Sequence, residues 1–300
     1  SAPPASLRGL RRALAVLAGD MAAWSAIAVY AVVVFLAAYQ HWHRPMANWD
    51  ALPYAALALR LDGVGDGQLR TAALAEVRAA FPARFDDFVS GGPDALYRQT
   101  VATDDAAFLA QLPFYVTKPL YVVGVFLLGR LEGNFATSTA HLSALAFLVF
   151  CLLAALARPP GVPRAPWLAG LVLVSAFSAT FPLSLLAAAS SPDTLSAACL
   201  LAGVLLSRDG RWGTAAVFLL LAQLARPDAI VPVLTLVLAW AGVNPRHRLR
   251  LLAIAGLSIG LSQAVAMLAD GYPLGVLLST LAARQPYPGT ITLALGSPEH

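Results

Sequence analysis

Apolar positions along this chain gather into unbroken runs instead of alternating with polar ones. Met21 to Gln40, Thr137 to Ala157, Pro166 to Ala187, Thr194 to Leu206, Gly213 to Ala225, Ala229 to Ala241 and Leu251 to Ala269 are dominated by Leu, Ala, Val and Phe. The longest approach the ~20 residues that an α-helix needs to cross the hydrocarbon core. A bilayer offers no partner to exposed backbone, so spanning segments are helices or closed barrels, and runs without alternation exclude the barrel. The pattern predicts an all-α, polytopic helical membrane protein with about seven transmembrane helices. Three of the runs are short and must recruit flanking residues or thin the bilayer locally.

The first segment combines Leu7, Leu10, Leu14 and Leu17 at helical spacing with Arg8, Arg11 and Arg12, which predicts an amphipathic helix on the membrane over residues 1–20. Residues 21–40 then span. Their apolar stretch exceeds the ~7–15 residues of a signal-peptide core and no clear small-residue cleavage site follows, so they read as an uncleaved anchor. If each run crosses once, Arg158/Arg164, Arg208/Arg211 and Arg246/His247/Arg248/Arg250 fall on the side of the N-terminal arginines. The positive-inside rule makes that side cytoplasmic, in an inner membrane, and puts the other loops outside. Leu120 to Leu131 is too short to span and follows Lys118-Pro119, so it is expected to be an interfacial or re-entrant helix. Counting it as a crossing would turn every later arginine cluster outward.

A long first extracytoplasmic loop, residues 41–136, is therefore expected to carry interfacial helices. Leu69, Ala73, Val77 and Phe81 repeat at helical spacing, and Gly63 to Gly67 and Gly91-Gly92-Pro93 mark turns. A helical bundle over 137–270 and an extracytoplasmic tail over 271–300 complete a single membrane domain, 1–300.

Composition agrees: 59% of residues are hydrophobic and 12% charged, against about 25% charged in a typical soluble domain. The net charge of +4 sits largely in short loops between apolar runs, where arginines set topology, so no nucleic-acid partner is expected. Cys151 and Cys199 lie inside apolar runs as small hydrophobes, and neither a disulfide nor a thiolate metal site is expected.

Chemistry is sought on the outer face. Asp50, in Asn48-Trp49-Asp50-Ala51-Leu52-Pro53-Tyr54, stands just beyond the first span, and taken alone it is a helix cap before a Pro in the first turn. Asp193, in Ser191-Pro192-Asp193-Thr194, has the same two readings. Two carboxylates brought together at one membrane face can hold a hard divalent cation or poise one of the pair as a base. Lys118-Pro119 and Arg226-Pro227 add cations suited to a lipid-linked phosphate. Arg284, after the segment Leu274 to Ala283, is a further phosphate contact or part of an ordinary interfacial tail. The pairs Asp86-Asp87 and Asp104-Asp105 read as solvated faces, and His41 and His43 as interface residues.

Together these elements resemble the C-type (GT-C fold) polyprenol-phosphate-dependent membrane glycosyltransferases over roughly Trp49 to Trp240. The likeness rests on the first-loop acid in Trp49-Asp50-Ala51-Leu52-Pro53-Tyr54, the basic-Pro-Leu-Tyr element Lys118-Pro119-Leu120-Tyr121, the later outer-loop acid Asp193, and the turn Arg226-Pro227-Asp228. It implies transfer of a sugar from a polyprenyl-phosphate carrier to a glycan, lipid or protein acceptor at the outer membrane face, with inversion. Asp50 is then the general base, joined by Asp193 as a catalytic acid residue, while Tyr54, Lys118, Tyr121, Arg226 and Arg284 are candidates to bind substrate. Asp50 and Asp193 are also the candidate ligands of a divalent cation, Mg or Mn. The first-loop acid of the family often comes as an adjacent acidic pair, whereas Trp49 and Ala51 flank Asp50 here, so metal use stays open. The alternatives are a transporter or flippase of lipid-linked intermediates and a non-catalytic membrane assembly partner.

Overall fold

The computed structural model of the chain describes residues 5–158, 161–179, 187–269 and 271, and helices are the only regular elements among them. They are α1 (Ala5–His43), α2 (Ala51–Leu61), α3 (Asp66–Ala80), α4 (Phe85–Ser90), α5 (Ala95–Thr103), α6 (Asp105–Val116), α7 (Pro119–Glu132), α8 (Phe135–Leu156), α9 (Arg164–Ala179), α10 (Asp193–Arg208), α11 (Trp212–Ala225), α12 (Ile230–Val243) and α13 (Arg248–Leu268).

Among the described residues, three helices are long and apolar enough to cross a membrane: Trp24–His43 within α1, Phe135–Leu156, and Pro245–Leu268. Their outward side chains, including Val32 and Phe35 on α1, Val149 and Leu152 on α8, and Leu257 and Ile259 on α13, are exposed. Bare Leu, Val and Phe stripes of this kind belong in lipid, and they mark a membrane-embedded helical protein. The seven long helices expected from the apolar runs are not all present at that length. α10, α11 and α12 have 16, 14 and 14 residues, or roughly 21–24 Å at ~1.5 Å per residue, against a hydrocarbon core of ~30 Å. The run Pro166 to Ala187 lies partly outside the described residues.

Two further expectations change. The anticipated break between a surface helix and the first span is not there: α1 is one helix through Asp20 and Met21, and Gly19 just before them does not interrupt it. The loop helices also do not lie singly along an interface. α2 is buried from Ala51 to Leu59, and α3, α6, α7 and α8 pack around it. The predicted stripe of Leu69, Ala73 and Val77 is fully buried on α3 and joins Phe85, Phe88, Tyr97, Phe108 and Tyr115 in one core. Residues 41–136 thus form a compact helical cap with its own hydrophobic interior. Asp104 caps α6 by accepting from the Ala106 and Ala107 amides, Asp105 pairs with Arg70 at 2.6 Å, and Asp86 and Asp87 are exposed.

α6 and α7 meet at a 109° bend, where Pro119 opens α7 after Thr117-Lys118. Pro has no amide to donate, so the ladder cannot run through this point, and the Lys118 side chain is left at the corner. Gly133, at φ 81°, ends α7 in the left-handed conformation, which frees the chain to reverse into α8. Gly203 lets α10 and α11 approach closely, since a Cβ there would stand 2.7 Å from Leu219 Cδ2.

Candidate functional site

Asp50 occupies the N-cap position of α2, yet its side chain makes no cap hydrogen bond. Its Oδ1 instead accepts from the Tyr115 hydroxyl of α6 at 2.9 Å. The preceding residues are held firmly: Trp49 Nε1 donates to Gln111 Oε1 at 3.3 Å, and the Trp49 ring stacks on Phe88 with centroids 5.3 Å apart. Tyr97 donates to the same Gln111 oxygen at 3.2 Å. Asp50 is therefore aimed by the cap's aromatic core and not by the helix it starts.

A second set of hydrogen bonds carries Asp193 to the same place. The Ser190 amide donates to Asn48 Oδ1 at 2.7 Å, and the Met46 amide to the Ala188 carbonyl at 3.0 Å. From α8, Ser143 Oγ donates to the Ser191 carbonyl at 2.8 Å and Thr139 Oγ1 to Ser190 Oγ at 2.5 Å. Thr194 Oγ1 donates back to the Ser143 carbonyl at 3.0 Å. The segment before α10 is clamped between α8 and the Asn48 turn, so Asp193, at the first position of α10, shares the Asp50 neighbourhood.

Arg226 follows α11 and closes the group. Its Nε and Nη2 lie 2.8 and 2.5 Å from the two Asp228 oxygens, and Nη1 pairs with Asp193 Oδ1. The other Asp193 oxygen accepts from the Ser191 hydroxyl. One guanidinium is thus shared by two carboxylates, in the planar geometry that suits it. Lys118 is different: its Nζ lies 4.5, 4.7 and 5.6 Å from the ring centroids of Phe114, Tyr115 and Tyr54. Among the described residues it has no carboxylate at ion-pair distance. Aromatic faces hold a cation without neutralising it.

Asp50, Tyr54, Lys118, Asp193, Arg226 and Asp228 all line one cavity of about 240 Å³. Burial raises the Asp50 carboxyl above the usual carboxylate range, opposed by the Lys118 charge, the Tyr115 hydrogen bond, and the Arg226 and Arg98 charges. Burial likewise pushes the Lys118 ammonium down to about 8, with Asp50 acting the other way and Arg226 in the same direction. The Tyr54 hydroxyl is fully buried and has no hydrogen-bond partner among the described residues. A carboxyl raised by burial and, among the described residues, a cation without an ion pair and a phenol without a hydrogen-bond partner therefore face the same space.

Of the residues singled out in the sequence, Tyr121 is not brought to the cavity. Its hydroxyl donates to the Thr139 carbonyl at 2.7 Å and its ring packs edge-on to Tyr54 at 4.6 Å, so it supports the wall from behind. Arg284 lies outside the described residues. Two residues of the site are not among those the sequence singles out: Tyr115, which holds Asp50 without lining the cavity, and Asp228, which lines it and is otherwise only the end of the Arg226-Pro227-Asp228 turn. The carboxylates do not fit a resident divalent cation as they stand. Asp193 has both oxygens engaged and Asp50 has one, and among the described residues no group of three or more His, Cys, Asp and Glu forms. Mg and Mn ask for an oxygen-rich shell that is near octahedral for Mg, and no step below is routed through a metal.

Fold and site together define a helical, membrane-embedded protein with a charged cavity between a compact helical cap and the bundle. No protein-family model, curated protein or solved structure matches the chain.

Proposed function

We propose that the chain is a glycosyltransferase of the cytoplasmic membrane that takes a sugar from a polyprenyl-phosphate carrier and passes it to a hydroxyl of a glycan, lipid or protein acceptor. In this reading about seven helices cross, the shorter ones with local thinning of the bilayer. The N-terminus is cytoplasmic and the cavity faces outside. The observation that carries the reading is the meeting of Asp50, Lys118, Asp193 and Arg226, from four separate stretches of sequence, in one cavity beside membrane-length helices.

Chemistry follows from the side chains present. The acceptor oxygen attacks the anomeric carbon as the bond from that carbon to the phosphate oxygen breaks, and the acceptor's proton passes to Asp50. A raised carboxyl is a stronger base than an ordinary aspartate, and Tyr115 holds Oδ1 so that Oδ2 is presented. The carrier leaves as a phosphate monoester whose added charge falls to Lys118, the cavity cation with no carboxylate partner among the described residues. Arg226, already shared by Asp193 and Asp228, shapes that end of the cavity and acts on the phosphate at longer range. A single displacement inverts the anomeric centre. The carrier's tail remains in the bilayer, which is why the reacting bond is met at a membrane edge.

Purified protein in liposomes with radiolabelled polyprenyl-phosphate sugars tests this directly. Transfer or donor hydrolysis by the wild type and its loss in Asp50→Asn are expected. No turnover of any such donor, or turnover unchanged by Asp50→Asn, overturns the assignment.

A further inference from the structure

A second and larger cavity lies away from the one above, on the cap. It is a groove of about 600 Å³ between α3, α4 and the end of α5, lined by Arg70, Leu74, Arg78, Phe85, Val89 and Ala102 among others. The volume falls within the ~300–1,000 Å³ of small-ligand sites. Its two charged lining residues differ sharply in state. Arg70 is committed, with Nε 2.6 Å from Asp105 Oδ1 and Nη1 donating to the Ala102 carbonyl at 2.6 Å. Arg78 is not: its guanidinium lies over the Phe85 ring at 4.2 Å and pairs with no carboxylate among the described residues. Asp86 and Asp87, though adjacent to Phe85, are exposed and do not line the groove.

A guanidinium held over an aromatic face by its central carbon keeps N–H donors free, and their fork matches the two oxygens of a carboxylate. The floor offered by Leu74, Phe85, Val89 and Ala102 is apolar and carries no second free cation. A phosphate monoester, at about −1.5 to −2 charge, would bring more negative charge than the groove can answer. A neutral amphiphile would leave the exposed Arg78 charge to water and gain nothing from it.

We infer that this groove is a binding site for a single-chain alkyl carboxylate, with the carboxylate on Arg78 and the chain along Leu74, Phe85 and Val89. The site is independent of the glycosyltransferase reading. Helix α4 links the two regions, since Phe88 stacks on Trp49 beside Asp50, but binding requires nothing of the first cavity.

Titration calorimetry of the full chain in lipid nanodiscs tests the site, with octanoate as the probe and octyl phosphate and octyl glucoside as comparisons. Octanoate is expected to bind saturably, one per chain, and more tightly than either comparison. Arg78→Gln should weaken it at least about tenfold, as the loss of a charged hydrogen-bonded pair implies. Ala75→Glu adds a like charge at an exposed position of the groove wall, leaves the core intact, and should weaken it similarly. Lys118→Gln should leave octanoate binding unchanged. Absence of saturable binding, indifference to both groove substitutions, dependence on Lys118, or a preference for octyl phosphate would each overturn the assignment.

Discussion

The Tyr115 hydroxyl donates to Asp50 Oδ1 at 2.9 Å across 65 positions of sequence. This bond leaves Asp50 without a capping role and stabilises its charged form, against a burial that favours the neutral one. Tyr115→Phe removes only the donor. The Asp50 pKa should then rise further, and because a base acts when deprotonated, the acid limb of the pH–rate profile should move to higher pH. A shift of about one unit fits a hydrogen bond to a charged group. An acid limb that stays in place or moves down would contradict the assignment of Asp50 as the base.

Lys118 supplies the opposite limb. Its ammonium is held down to about 8, chiefly by burial, so the cation is present below that pH and lost above it. Transfer should therefore fall on the alkaline side with an apparent pKa near 8. Lys118→Met should abolish transfer at every pH. Lys118→Arg, if active, should lose the alkaline limb, since guanidinium does not titrate in this range.

Asp193 and Asp228 hold one guanidinium between them. Each single change to Asn should cost about 1–2 kcal/mol of stability, the range for a charge-assisted bond in a partly exposed setting. The double variant should differ from the sum, because both carboxylates act on Arg226. Thermal unfolding of the four proteins in one detergent closes the cycle, and strict additivity would show that the shared arginine does not couple them.

Ser143 touches no cavity residue except through Ser191. Its hydroxyl donates to the Ser191 carbonyl and lies 3.2 Å from the Ser191 amide, which donates to it. Ser143→Ala leaves the buried Ser191 carbonyl without this donor, at a cost of about 1–3 kcal/mol, while the Ser191 amide keeps the Ala189 carbonyl at 2.8 Å. It should also lower transfer by loosening the segment that carries Asp193. Unaltered unfolding and unaltered transfer would show that this clamp is dispensable.

Several features were legible before any coordinates. Unbroken apolar runs specify helices whatever the surroundings, because backbone in lipid must satisfy itself, and the spacing of Leu69, Ala73 and Val77 specifies one buried helical face. Lys118-Pro119 specifies a break, and a 109° bend is found there. Asp50, Lys118, Asp193 and Arg226 were nominated from their positions at the ends of apolar runs or loops.

What sequence alone determined is thus local: helix against strand, where helices stop, and which charged groups sit at their ends. Tertiary structure decided the partners. Nothing in the periodicity of α2 says that it is buried from Ala51 to Leu59, because a stripe records polarity and not the number of neighbours. Tyr121, three residues after Lys118, does not line the cavity, and its hydroxyl meets Thr139 and Ser143 instead. Tyr115 and Asp228 acquire their positions only when segments far apart in sequence meet, as Asn48 meets Ser190 across 142 residues. Hydrogen bonds and ion pairs of that kind depend on distances of a few ångströms between separately folded segments, and no local pattern encodes them.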